Sequence, residues 1–232
     1  ISKMDTYTGL QNRLKLVTAS QNELNQALKD TFNIAQATGQ SWDSTAQVYQ
    51  RFADNAKRLG ITLQETSVLT ETVAKAISIS GGSAASAEAA LVQFGQALAS
   101  GVLRGEEFNS IAEQAPGLLK AIATGLNVNI GELRAMANEG KLTADVVVKS
   151  LEKAKVSVDD LFNKTDFTIG NSFTMLNNAL TQFVGEAGKG SGAAQLISSS
   201  LMELAKNLET VTNVAMVGEA YWVGTYIPAA YK

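Results

Sequence analysis

Few side chains in this sequence could do chemistry, and each candidate meets a geometric obstacle. Glu106 and Glu107 are adjacent acids. Two carboxylates hydrolyse a glycosidic bond when both face one cleft, about 5–10 Å apart. Neighbours on a helix point about 100° apart, so this pair cannot share a face. Joining either of them to Glu113 is geometrically open, but no second feature supports it. Gly105-Glu106-Glu107 suits a helix N-terminus instead, where the helix dipole favours negative charge. Gly188-Lys189-Gly190 has the texture of a phosphate loop. Such a loop needs Gly-x4-Gly-Lys followed by a Ser or Thr hydroxyl for magnesium, with a strand before it. Gly190 fills the hydroxyl position and no strand precedes, so a flexible linker fits better. Asn163-Lys164-Thr165 matches a glycosylation sequon, a triplet common by chance, and no secretory signal is recognisable beside it.

The sequence contains no Cys and no His. That removes disulfides, thiol nucleophiles, imidazole bases and the usual zinc sites together. We expect no catalytic residue, no cofactor and no metal site, and hence not an enzyme. Lys and Arg total 19 against 22 Asp and Glu, a net charge of -3. No basic stretch could track a phosphate backbone; the run from Lys149 to Lys155 also carries Glu152. Specific nucleic-acid binding is not expected, although a mildly acidic surface would let DNA pass without sticking.

The elements that would position these side chains read as helices. Hydrophobic residues make up 45% and aromatics 6%, a mix suited to helices packed through small residues. The 232 residues suffice for one large domain or two small ones. Leu10, Leu14 and Val17 form a short stripe. Ser20-Gln21-Asn22-Glu23 is a capping box, and Leu24, Leu28, Thr31 and Ala35 recur at helical spacing up to Gly39. Ser41 opens a helix with Val48, Phe52, Ala56 and Leu59, closed by Gly60. Thr62 and Glu65 make a second box, leading into Leu69, Val73, Ala76 and Ile77, with Gly81-Gly82 after them. Ser83 starts a helix with Ala84, Ala87, Leu91, Phe94 and Leu98, and Gly101 closes it. Short connections between these segments predict antiparallel neighbours in a bundle.

Beyond Gly101 the elements shorten: Glu106–Gln114, Pro116–Thr124, Ile130–Glu139 and Ala144–Lys155. Asn129 and Glu132 form a third box, Thr143 is a helix start, and Gly125 and Gly140 punctuate. Ser157 starts a short helix through Lys164, and a longer one carries Phe173, Leu176, Leu180 and Phe183. Gly185 to Gly192 reads as a flexible Gly/Ser-rich linker. After it Ile197, Leu201, Leu204, Leu208, Val211 and Ala215 repeat at four-three spacing, a heptad seam suited to self-association. The same spacing serves an ordinary amphipathic helix packed within the chain. The tail from Val211 to Tyr231 is apolar but broken by Gly218, Glu219, Gly224 and Pro228, so its runs fall short of the roughly 20 residues of a membrane span. The expected fold is all-α: a bundle of long antiparallel helices with a cluster of short helices, then a separable C-terminal helix. The expected parts are a helical domain at 1–184, a linker at 185–192, and an amphipathic helix with an apolar segment at 193–232.

Two stretches carry a resemblance. Gly101-Val-Leu-Arg-Gly-Glu-Glu-Phe-Asn-Ser-Ile-Ala-Glu-Gln-Ala-Pro-Gly-Leu-Leu119 and Gly131-Glu-Leu-Arg-Ala-Met-Ala-Asn-Glu-Gly-Lys-Leu-Thr143 resemble, in this order, the tape-measure domain of tail tape-measure proteins of long-tailed bacteriophages and prophages. The run from Leu10 to Ala99, with Ser41-Trp42 and Phe52-Ala53, fits the same family. The resemblance is close over residues 8–155 and looser beyond. It implies one piece of a longer helical polypeptide that sets tail-tube length during assembly and takes part in genome delivery. It further implies a place in the lumen of the tail tube in the virion, and the host cytoplasm during assembly. Implied partners are tail-tube and tail-tip proteins, tail assembly chaperones and further copies of the chain as a homo-oligomer in the lumen, with transient host-membrane contact. No active-site or ligand residue carries over. Two rival classes remain: a membrane-active or pore-forming protein working through the apolar C-terminal segment, and a cell-wall hydrolase.

Overall fold

The computed structural model describes residues 3–187. Among these the chain is all-α, with eleven helices, no strand, and an isolated antiparallel bridge between Val102 and Thr143. The first helices are α1 (Lys3–Lys15), α2 (Gln21–Thr38), α3 (Trp42–Asp54), α4 (Ala56–Leu59), α5 (Leu63–Ile79) and α6 (Ala84–Ser100). Then come α7 (Gly105–Gln114), α8 (Pro116–Leu126), α9 (Ile130–Asn138), α10 (Ala144–Phe162) and α11 (Ile169–Ala187).

Local chemistry sets most of these boundaries. Thr62 Oγ1 accepts from the Glu65 amide at 3.1 Å while Glu65 Oε2 accepts from the Thr62 amide at 2.7 Å. Asn129 and Glu132 make the same reciprocal pair. At Ser20 the arrangement is shifted: its hydroxyl takes the Glu23 amide, but the Glu23 carboxylate reaches the Ala19 amide at 2.6 Å. At Gly39, φ is +65°, and the Gln40 amide turns back to the Ala35 carbonyl at 2.9 Å. That left-handed turn is cheap for glycine and closes α2.

Four expected boundaries differ. The helix opened by Ser41 breaks at Asn55 instead of running to Leu59. The Asn55 amide group donates to the Arg51 carbonyl at 2.9 Å, a local side-chain bond that competes with the helix ladder. Gly125 does not stop α8. It lies inside the helix, and the left-handed cap is Asn127, at φ +56°. Ser157 starts nothing, because α10 is one continuous helix whose buried face runs Val147, Val148, Leu151, Ala154 and Val158. Lys155 and Asp159, one turn apart at 2.6 Å, tie it across the expected break. Finally, α11 continues through Gly185, Glu186 and Ala187, the first three positions of the expected linker.

The short turns reverse the chain between successive long helices, so α2 and α3 pack antiparallel through Trp42 against Phe32 and Thr31. Helices two steps apart then run in the same sense. Asp30 and Thr38 of α2 meet Ser67 and Ser78 of α5, and Ser44 and Phe52 of α3 meet Glu88 and Phe94 of α6. Two apolar clusters result. One gathers Tyr7, Leu10, Leu14, Leu24, Phe32, Trp42 and Tyr49 from α1, α2 and α3. The larger one contains Phe52, Val73, Leu91, Phe94, Phe108, Ile111, Leu118, Ile122, Leu133 and Leu151, drawn from α3 and α5 to α10. Helix α3 serves both: Trp42, Ala46 and Tyr49 face one cluster, Val48 and Phe52 the other.

Candidate functional site

The two stretches that carry the family resemblance meet in space. The Leu103 amide donates to the Leu142 carbonyl at 2.8 Å and the Ala144 amide to the Gly101 carbonyl at 2.9 Å, on either side of the Val102–Thr143 bridge. Arg134 of α9 lies over the Phe108 ring of α7, 5.0 Å from its centre, and also donates to Asn109. Leu103, Phe108, Ile111, Leu133 and Leu142 are all buried beneath. The residue pattern of both stretches is therefore a docking pattern for short helices.

The candidate acids sit where the helix dipole would place them. Glu106 and Glu107 occupy the first turn of α7, Glu106 exposed and Glu107 half-buried. They border a shallow depression of about 440 Å³ shared with Arg104, Gly105, Asn109, Ala137 and Asn138. Glu113 is exposed near the other end of α7 and does not line it. Asn163 is the C-terminal cap residue of α10, and Thr165 donates to the Leu161 carbonyl at 3.1 Å. Gly188-Lys189-Gly190 and the seam residues Ile197, Leu201, Leu204, Leu208, Val211 and Ala215 lie outside the described residues. Among the described residues no three His, Cys, Asp or Glu side chains are grouped to hold a metal ion, and no helix is long and apolar enough to cross a membrane.

The sequence reading missed the polar clamp that holds α11. Asn178 is buried; its Nδ2 donates to the Gln40 carbonyl at 2.7 Å and to Gln36 Oε1 at 3.2 Å, and its Oδ1 accepts from the Trp42 amide at 2.9 Å. One side chain thus satisfies the turn between α2 and α3. Asn171 Nδ2 donates to the Gly39 carbonyl at 3.1 Å, while Asn171 Oδ1 accepts from the Thr168 amide and the Thr168 hydroxyl takes the Asn171 amide. At the far end the Tyr7 ring lies against Gly185, where an added Cβ would come within 2.1 Å of a ring carbon, and the Tyr7 hydroxyl donates to Glu186. Burial raises the Tyr7 phenol above its ordinary pKa, and Glu186 raises it further. A second polar cluster ties α10 to α5. Lys75 contacts Asp159 at 2.9 Å and Glu71 at 3.1 Å, and sits over the Phe162 ring.

Short helices docked on longer ones, with polar side chains spent on turns and helix contacts, define a helical structural module. A family model described as Tape measure protein matches residues 1–189, and the chain belongs to that family. It is a structural component of a phage tail, associated there with other tail components; the family is not one of enzymes. No curated protein and no solved structure matches.

Proposed function

We propose that this module lies in the lumen of the tail tube as part of a chain that sets tube length during assembly and takes part in genome delivery. Tail-tube and tail-tip proteins and tail chaperones are its partners, and it works without catalysis. Within that role it is an anchor or end module, not the measuring tape. The observation that carries this is the repeated reversal of the chain. A helix advances about 1.5 Å per residue. The longest described helices have 19 residues, about 28 Å. A folded-back module adds little length per residue, so length is counted by uninterrupted helical sequence elsewhere in the tape-measure chain.

In-frame deletions in the phage gene, with tails measured by electron microscopy, test both parts. Removing long helical stretches outside this module should shorten tails in proportion to the residues removed. Deletions within residues 10–155 should abolish or misregulate assembly. Proportional shortening from deletions within 10–155 would make the module part of the tape.

A further inference from the structure

Helix α11 presents the wrong face to the protein for an ordinary amphipathic helix. Its inward face carries Ser172, Met175, Asn178 and Thr181, all buried and mostly polar, with Gly185 against Tyr7. Its apolar residues Ile169, Phe173, Leu176, Leu180 and Phe183 recur at four-three-four-three spacing on the outer side. Four of these five are exposed, Phe173 at 67%. An apolar stripe of this length on one surface helix is a contact face without its partner among the described residues.

The sequence beyond α11 continues the same count. Steps of four and three from Phe183 pass Ala187, Gly190 and Ala194 and arrive at Ile197, Leu201, Leu204, Leu208, Val211 and Ala215. Stripe and seam therefore share one heptad frame, and Gly188, Gly190 and Gly192 fall between them. We propose that the segment Ile197–Val211 folds back in cis and lies antiparallel along the exposed stripe of α11.

Three features select this occupant. The lengths agree: Ile169 to Phe183 and Ile197 to Val211 each advance fourteen residues, about 21 Å of helix. The pairing is also centred. Phe183 falls opposite Ile197, Leu180 opposite Leu201, Leu176 opposite Leu204, Phe173 opposite Leu208 and Ile169 opposite Val211, and the midpoint of every pair lies at or next to Gly190. Helix pairs of this kind are joined by about 2–8 residues. Third, a straight helix through this region would hold three interior glycines, each costing about 1 kcal/mol relative to alanine. It would also place Ala187, Gly190 and Ala194 on its seam, where they have little to bury, so a parallel pair of straight helices is weakest where it must be continuous. The tethered segment, by contrast, meets the stripe at the high effective concentration of a short linker.

One consequence is directional. The chain beyond Ala215 leaves the module beside Ile169 and the Gly39 turn, about 28 Å from the Ala187 end of α11. The fold-back thus reverses the direction in which following sequence departs. None of this depends on the role in the tail.

The sequence has no native cysteine, so paired thiols report the contact without background. In the full chain, Phe173→Cys with Leu208→Cys treated with a short bismaleimide should give an internally linked monomer, in a yield independent of protein concentration. Ile169→Cys with Ile197→Cys, separated by the length of the stripe in this arrangement, should stay unlinked. Equal linkage of both pairs, or of neither, overturns the proposal. So do linked dimers from Phe173→Cys alone that grow with concentration, which would put a second copy on the stripe. As a further readout, Leu204→Asp should speed thiol labelling of the Phe173→Cys chain on the order of tenfold. An unchanged rate also overturns the proposal.

Discussion

Helices α10 and α11 both have 19 residues and both close against the body of the molecule, but opposite physics holds them. Helix α10 buries Val147, Val148, Leu151, Ala154 and Val158 and crosses α8 so closely that a Cβ on Gly125 would lie 1.9 Å from the Ser150 carbonyl oxygen. Helix α11 is held largely by amides and hydroxyls, with Met175 among them, and leaves Ile169, Phe173, Leu180 and Phe183 outside. An apolar stripe therefore locates the contact face of α10 and misplaces that of α11. Periodicity says that a helix has two faces; the partner already in place decides which one it uses.

The largest effect expected is at the centre of the apolar side of this comparison. Phe94 is 1% exposed and stacks edge-on against Phe52 at 6.0 Å. Phe94→Ala should lower stability by about 3–5 kcal/mol in a denaturant melt. A loss under about 1 kcal/mol would mean that the α3–α6 contact contributes little to the core. Next comes Gly125→Ala. In an isolated helix the change would be favourable, but here the new methyl meets the Ser150 backbone. A net loss of about 1–3 kcal/mol is expected; a gain would show that α8 and α10 separate easily.

Asn178→Ala probes the polar side. It strands the Gln40 carbonyl and the Trp42 amide in a buried turn, at a cost of about 1–3 kcal/mol. The loss should be local. Hydrogen exchange should rise in α11 and in the α2–α3 turn while the amides of α8 and α10 keep their protection. A uniform rise over all helices would merge the two regions into one cooperative unit and remove the contrast.

Much of the first hundred residues was legible in sequence because local signals there agree with each other. The Thr62–Glu65 box, the Gly39 turn, and the core positions Leu91, Phe94 and Leu98 each follow from one rule applied over a few residues. The errors arose where one residue type serves two purposes. Gly125 and Gly185 look like the punctuating Gly39 in a sequence, yet they are small because another chain segment touches them. Asn55 looks like a tolerable helix residue, and its own side chain ends the helix. Asn171 and Asn178 gave no signal, since an amide that satisfies a turn more than 130 residues away is a tertiary fact. The acids Glu106 and Glu107 could be read as first-turn residues because negative charge after Gly105 suits a helix N-terminus.

The smallest effect concerns the charged contacts that supplement the apolar face of α10. Burial pushes the Asp159 carboxyl upward, but hydrogen bonds and charge from Lys155 and Lys75 outweigh it and hold the group below the ordinary carboxylate range. Lys75 is likewise partly buried, which lowers its affinity for the proton, yet Asp159 and Glu71 raise it above its ordinary value. A carboxylate held down in the folded state adds stability above its unfolded pKa and loses it as the pH falls through its folded one. A raised lysine adds stability below its unfolded pKa and loses it as the pH rises through its folded one. The contribution is therefore full across the neutral range and fades at both ends. Asp159→Asn should cost about 1 kcal/mol at neutral pH, a modest value because both partners retain some solvent. The gap between the two proteins should shrink as urea melts are taken from about pH 7 to about pH 3, as the pH falls past the ordinary carboxylate pKa toward the lowered native one. A gap that stays constant over that range would mean that Asp159 acts through packing rather than charge, and α10 would then be held by its apolar face alone.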